Sequence, residues 1–181
     1  QSEPLDVLAI ADLQLPDHPL TDSGPIAGTF FLLREIELSC ARQPHVTIAP
    51  DRLSASWLLP STKTDCRAVG VSRTWDCVCD MLDLRHACPV HALIRQLSRL
   101  DDLAERLHCR ASELPLFPAR DGSEVTKTSM VASIVAAVTA TGVPVLNHTG
   151  GQRYGGHSLR TGGAHLFASR GTHPVKIQTF G

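Results

Sequence analysis

No apolar run in this chain approaches the about 18 residues that a membrane-spanning helix needs, which excludes such a helix. No signal peptide opens the sequence, and neither an internal repeat nor a low-complexity segment marks a solenoid or a disordered tract. Positive charge in excess is also missing. With 17 Lys and Arg against 18 Asp and Glu, the net charge is -1, which argues against a uniformly basic nucleic-acid binder. Acids are absent from one end in particular. None follows Glu124, where Lys127, Arg153, Arg160, Arg170 and Lys176 stand, whereas Glu3, Asp6, Asp12, Asp17 and Asp22 all precede Arg34. A chain polarised in this way can present one basic face to an anionic partner; the acids can equally fill a solvated amino-terminal segment.

At 181 residues and 43% hydrophobic, the chain can bury a core as one domain. It reads as soluble and intracellular, and its start at Gln1 and stop at Gly181 within a helical pattern read as those of a piece of something larger. Residues 1–24, rich in Pro and Asp, are expected to be a loose lead-in with one short apolar run from Leu5 to Leu13. Apolar spacing through Ile26, Phe30, Leu33, Ile36 and Cys40 predicts one helix from Pro25 to about Arg42. HVTIAP, SASWLLP and AVGVS, separated by turn residues, predict a small antiparallel sheet. Val90, Leu93, Ile94, Leu97, Leu100, Leu103, Ala104 and Leu107 predict an amphipathic helix over 89–108. Further helices are expected over 123–141, behind His157 until Gly171, and over 174–180. The fold class is therefore mainly α with a small antiparallel sheet.

Residues 149–181 contain four basic residues and no acid, with His157 and Arg160 spaced HxxR behind Gly155 and Gly156. At three-residue spacing the two side chains share a helical face, about 5–6 Å apart at Cβ, and can grip one phosphate. The glycines let the backbone pass close to a ligand or partner. In the predicted first helix, Arg34 and Glu37 lie three apart beside Ala27, Phe30 and Ala41, where charges on an apolar stripe need a reason. An intrahelical ion pair at the edge of the core is one reading. Lys63, in STKTD between two strands, reads on its own as a solvated turn lysine.

Taken in order, LLREIEL, STKTD and GGHSLR resemble the tyrosine recombinase and phage integrase family over about residues 25–181, and are most similar to integrase-like sequences of eukaryotic mobile elements. LLREIEL resembles the first box, KTD the hairpin of the catalytic lysine, HSLRTGGAHLFASRG the second box, and THPVKIQTFG the helix leading to a third His or Trp. The resemblance implies duplex DNA as partner, multimers on paired sites, no cofactor for catalysis, and a nuclear location in a eukaryotic cell. Breaking a phosphodiester without metal puts charge on two non-bridging oxygens, and Arg34 and Arg160 fit a clamp of two planar guanidiniums. Such donors are worth about 3–4 kcal/mol each by analogy with oxyanion holes. Lys63 fits a general acid for the leaving 5′ oxygen. By resemblance, His157 holds the phosphate or takes the nucleophile's proton, and Glu37 orients its neighbours. The family's nucleophile is a tyrosine after the third box; Tyr154, the one tyrosine here, precedes HxxR. The chain is thus expected to bind DNA without cleaving it. The other reading is a domesticated, non-catalytic DNA-binding or interaction domain of the same fold.

Six cysteines remain to be placed. WDCVCDMLDLRHACPVH offers Cys77, Cys79, Cys88 and His91 as four ligands for a tetrahedral structural zinc, in a loop over 75–91. The bland alternative makes Cys88 a small buried residue at a helix start and the rest bystanders. A disulfide fits a reducing compartment less well.

Overall fold

The computed structural model describes residues 2–11, 13, 23–60 and 70–180. Among them, α1 (Val7–Ala11) leads to α2 (Ser23–Phe30), in which every residue is buried, as a helix without a polar face must be. Helix α2 packs against α4 (Pro89–Leu107) and α6 (Ser158–Ser169). Of the expected stripe in α4, Val90, Leu93, Leu100, Leu103 and Ala104 are buried, Ile94 and Leu97 partly so, and Leu107 at the end is exposed, while Asp101, Asp102, Glu105 and Arg106 face water. Pro89 takes the first turn, where a missing N–H is harmless, and His108 ends the helix at φ 54°. Helix α5 (Lys127–Ala140) starts where Thr126 Oγ1 accepts the Ser129 N–H at 3.1 Å, and it stops before Gly142 at φ 78°. Helix α7 (Pro174–Phe180) follows Gly171 as expected.

Strands β1 (Val46–Ile48), β2 (Ser54–Leu59) and β3 (Val71–Asp76) form an antiparallel sheet in that order. Alternation puts Ala55, Trp57 and Leu59 of β2 inward, and Trp57 faces Arg73 across the ladder. Strand β3 runs on past the expected AVGVS, because Trp75 enters an aromatic cluster. Its ring lies 5.5 Å from Phe30, 5.0 Å from Phe167 and 5.4 Å from Phe180.

One expectation is corrected. The helix expected from Pro25 to about Arg42 is two helices, α2 and α3 (Glu35–Ser39), with a turn between them. The Leu33 N–H donates to Gly28 O at 2.8 Å and the Leu32 N–H to Thr29 O at 3.2 Å, the Schellman pattern, with Leu32 at φ 51° where glycine is usual. Holding leucine there costs about 1–2 kcal/mol. The turn persists because Phe31, Leu32 and Leu33 are all buried and because arginines from elsewhere take the freed carbonyls. Arg34 is therefore a cap residue in extended backbone (φ -90°, ψ 161°), not a residue inside a helix.

Of the expected loose lead-in over 1–24, residues 2–11 are packed against the rest. Leu5, Val7 and Ile10 are buried, the Leu5 N–H donates to Ser158 O at 3.1 Å, and the Glu3 N–H donates to Arg153 O at 2.8 Å. Helix α6 lies clasped between this segment and α2. A Cβ at Gly162 would overlap the backbone of Leu5, and one at Gly163 would overlap the Thr29 carbonyl. Since both obstacles are main chain, Gly163→Ala is expected to cost at least about 2–3 kcal/mol, read as a lowered urea midpoint.

Candidate functional site

The Schellman turn gathers basic side chains. Arg160, on the first turn of α6, donates from Nε to Leu32 O at 2.7 Å. Arg73, reaching inward from β3, donates from Nη1 to Phe31 O and also to Leu32 O at 3.3 Å. These carbonyls end α2, where the helix dipole is negative, so two guanidiniums are held at the site electrostatics favours. Arg34 follows two residues later.

Glu37 joins the set. Its Oε2 accepts the Arg34 N–H at 2.7 Å and lies 3.4 Å from Arg160 Nη2, while its Oε1 stands 3.7 Å from Arg34 Nη1. Hence the expected pairing of Arg34 with Glu37 is present, now as a helix cap that reaches across to α6. Behind it, buried Glu35 receives Lys127 Nζ at 3.0 Å from the start of α5. Gly156 has its place here. A Cβ on it would coincide with the Glu35 carboxylate, and the Glu35 N–H donates to Gly156 O at 3.1 Å. The close approach expected of Gly155 and Gly156 is thus, at Gly156, to the chain's own acid.

Arg34, Arg160 and Lys127 therefore pair with two carboxylates while Arg73 is held by backbone carbonyls, so among these four cations and two acids two positive charges are in excess. Burial, with the charge of Arg160 and to a smaller degree Arg34 adding and Glu37 opposing, pushes Arg73 down to about 10, so it remains protonated at neutral pH. Burial likewise lowers Arg160, against the pull of Glu37. Arg73 is 6% exposed and lies beneath the Phe180 ring at 5.6 Å, so it supports the turn and does not meet a ligand. Arg34 and Arg160 keep 21% and 18% of their side chains in solvent. Of the three guanidiniums they are the two that an anion can reach, beside the more exposed ammonium of Lys127.

Of the other expected residues, His157 is exposed at the N-cap of α6, where it lines an open depression of about 420 Å³ with Ser2, Gln152 and Thr161. Lys63 lies outside the described residues. Tyr154 is buried against the guanidinium of Arg153, which lies 5.6 Å from its ring. Cys77, Cys79, Cys88 and His91 converge, about where β3 leads into α4. Arg73, Glu35 and Lys127 were not singled out from the sequence. For Arg73 a signal existed: it occupies the same face of β3 as Trp75, opposite buried Trp57.

No protein-family model matches the chain, and no curated protein does. Solved structures do. A pre-cleavage complex of the XerH site-specific recombinase bound to difH substrate superposes with TM-score 0.61 at 13% identity, over 99% of this chain and 46% of that one. The post-cleavage complex with palindromic difH gives 0.60 at 13% identity, over 98% and 45%. The chain spans under half the length of these recombinases. Its mainly helical fold with a small three-stranded sheet is like that of the matched part of these site-specific recombinases.

Proposed function

We propose that this chain binds duplex DNA and forms the phosphate-gripping part of a strand breakage and rejoining centre of the tyrosine recombinase kind. The observation that carries the reading is the cluster itself: a fixed excess of positive charge in which two guanidiniums, one from the cap of α3 and one from α6, remain open to solvent. The recombinase fold and the ordered motifs support it.

In this reading Arg34 and Arg160 each donate to the non-bridging oxygens of the scissile phosphate, where charge builds in the transition state. Glu37 and Arg73 position them, the first by holding both guanidiniums and the second by holding the turn. A tyrosine oxygen attacks phosphorus as the P–O5′ bond breaks, giving a 3′-phosphotyrosyl link, and Lys63 delivers the proton that the leaving O5′ needs. His157 binds the phosphate or takes the tyrosine proton. Reversal on a new 5′ hydroxyl rejoins the strands without an energy-rich cofactor. Buried Tyr154 is not that tyrosine, so these 181 residues bind DNA and need the nucleophile from elsewhere. Paired sites would require a multimer, and a eukaryotic host a nuclear location.

The domesticated, purely DNA-binding reading has its own support in the net charge of -1 and the single, buried tyrosine. Both readings require phosphate contacts. Fluorescence anisotropy with a labelled duplex is expected to show affinity falling with salt at a log–log slope near -0.9 per neutralised phosphate, so about -0.9 for the one phosphate in the two-arginine grip and steeper with every further phosphate met. Affinity independent of salt contradicts both readings.

A further inference from the structure

The loop between β3 and α4 holds a second chemical cluster, independent of the arginines. Cys77 extends β3, its N–H donating to Leu53 O at 2.7 Å; Cys79 follows in the turn; Cys88 is the N-cap of α4; and His91 stands in the helix's first turn. Residues on either side of an irregular connection are thus brought to one point. Their ligand atoms lie within 4.8 Å of one another. His91 Nδ1 is 3.2 Å from Cys79 Sγ, 3.3 Å from Cys88 Sγ and 3.8 Å from Cys77 Sγ, and the Cys77 and Cys88 sulfurs are 3.7 Å apart.

Those distances discriminate. A disulfide would bring two sulfurs to about 2.05 Å. A tetrahedral ion with Zn–S of about 2.3 Å and Zn–N of about 2.0–2.1 Å sets its ligand atoms about 3.8 Å apart for two sulfurs and about 3.6 Å apart for sulfur and nitrogen. The cluster has the second spacing. Three soft thiolates and an imidazole select zinc over the hard oxygen-seeking cations. We infer that Cys77, Cys79, Cys88 and His91 bind one zinc ion, closed on all four sides by protein and therefore structural.

The location says what the ion would do. The connection is poor in core: Met81 and Leu82 are 50% and 80% exposed, and Val78, Leu84 and Ala87 are its buried apolar residues. A metal supplies the anchorage that so few apolar groups do not. From there the loop reaches α6, since Asp83 Oδ2 accepts both terminal nitrogens of Arg170, at 2.9 and 2.8 Å. Two residues before Cys77, Trp75 stacks on Phe167 of the same helix. The ion thus pins the sheet to α4 and steadies the far end of the helix that carries Arg160, without touching the phosphate grip.

Metal analysis of the protein purified under reducing conditions and dialysed against micromolar zinc is expected to find about one zinc per chain. Cobalt(II) in its place is expected to give the intense thiolate charge-transfer and visible bands of a tetrahedral sulfur-rich site. Cys79→Ser, at an exposed ligand, should lose its metal to a competing chelator that the wild type resists, while Cys40→Ser and Cys109→Ser keep it. Chelation should lower the thermal midpoint of the wild type and leave that of Cys79→Ser unchanged. No metal on the wild type, cobalt bands of octahedral type, or full zinc retention by both Cys79→Ser and His91→Ala would overturn the assignment. Duplex binding plays no part in these readouts, so the zinc inference and the DNA reading succeed or fail separately.

Discussion

Glu37→Ala is expected to destabilise the chain by about 3–5 kcal/mol, the cost of removing one partner from a buried charged network. The Glu37 carboxylate is the one group that caps α3 and bridges Arg34 to Arg160, and it is only 6% exposed. Without it three guanidiniums are left with only the more distant charge of Glu35, and the Arg34 N–H loses its acceptor. Glu37→Gln keeps an oxygen for that N–H and loses only the charge, so a smaller cost of about 1–3 kcal/mol is expected. Urea unfolding of the three proteins measures both; an unfolding free energy for Glu37→Ala within about 1 kcal/mol of wild type would mean that the network is solvated and not built as described.

How far this arrangement was legible in the sequence varies with how local each signal is. Helix α4 carries its whole pattern within its own residues, and the start of α7 is marked by Gly171 and Pro174, so both were readable to within a residue or two. The cysteine and histidine set was readable for the same reason. By contrast, the break at Leu32 has no local mark. Phe-Phe-Leu-Leu contains neither glycine nor proline, and the turn is held by carbonyl acceptors for Arg73 and Arg160, residues 41 and 128 positions away in the chain. Glu35 is a similar case, because its partner Lys127 and the gap left by Gly156 come from distant elements. Nor does the Pro- and Asp-rich start of the chain advertise that Leu5 and Ile10 are core residues. Motif order located the two arginines; only the fold explains why they converge.

Arg160→Ala is the second large effect. A hydrogen bond to a charged group contributes about 1.5–3 kcal/mol, so losing its grip on a phosphate should raise the Kd for duplex DNA about 10- to 100-fold. The log–log salt slope should become shallower, by at most about 0.9 since Arg34 still meets the same phosphate. Arg160→Lys keeps the charge without the planar pair of donors and should fall between the two. Arg34→Ala should behave like Arg160→Ala, because the two side chains are held by the same carboxylate and are similarly exposed. Since Arg160 also anchors to Leu32 O, each variant's unfolding midpoint must be measured beside its affinity, so that lost binding is not mistaken for lost fold.

The central claim is that these two guanidiniums meet a DNA phosphate directly. Its sharpest test is a double-mutant cycle between protein and DNA, in which single phosphates of a bound duplex are replaced one at a time by neutral methylphosphonates. At one position the substitution should weaken wild-type binding about tenfold or more yet weaken Arg160→Ala clearly less, because one of the two partners of the missing charge is already gone. Equal losses for wild type and variant at every phosphate would contradict the account.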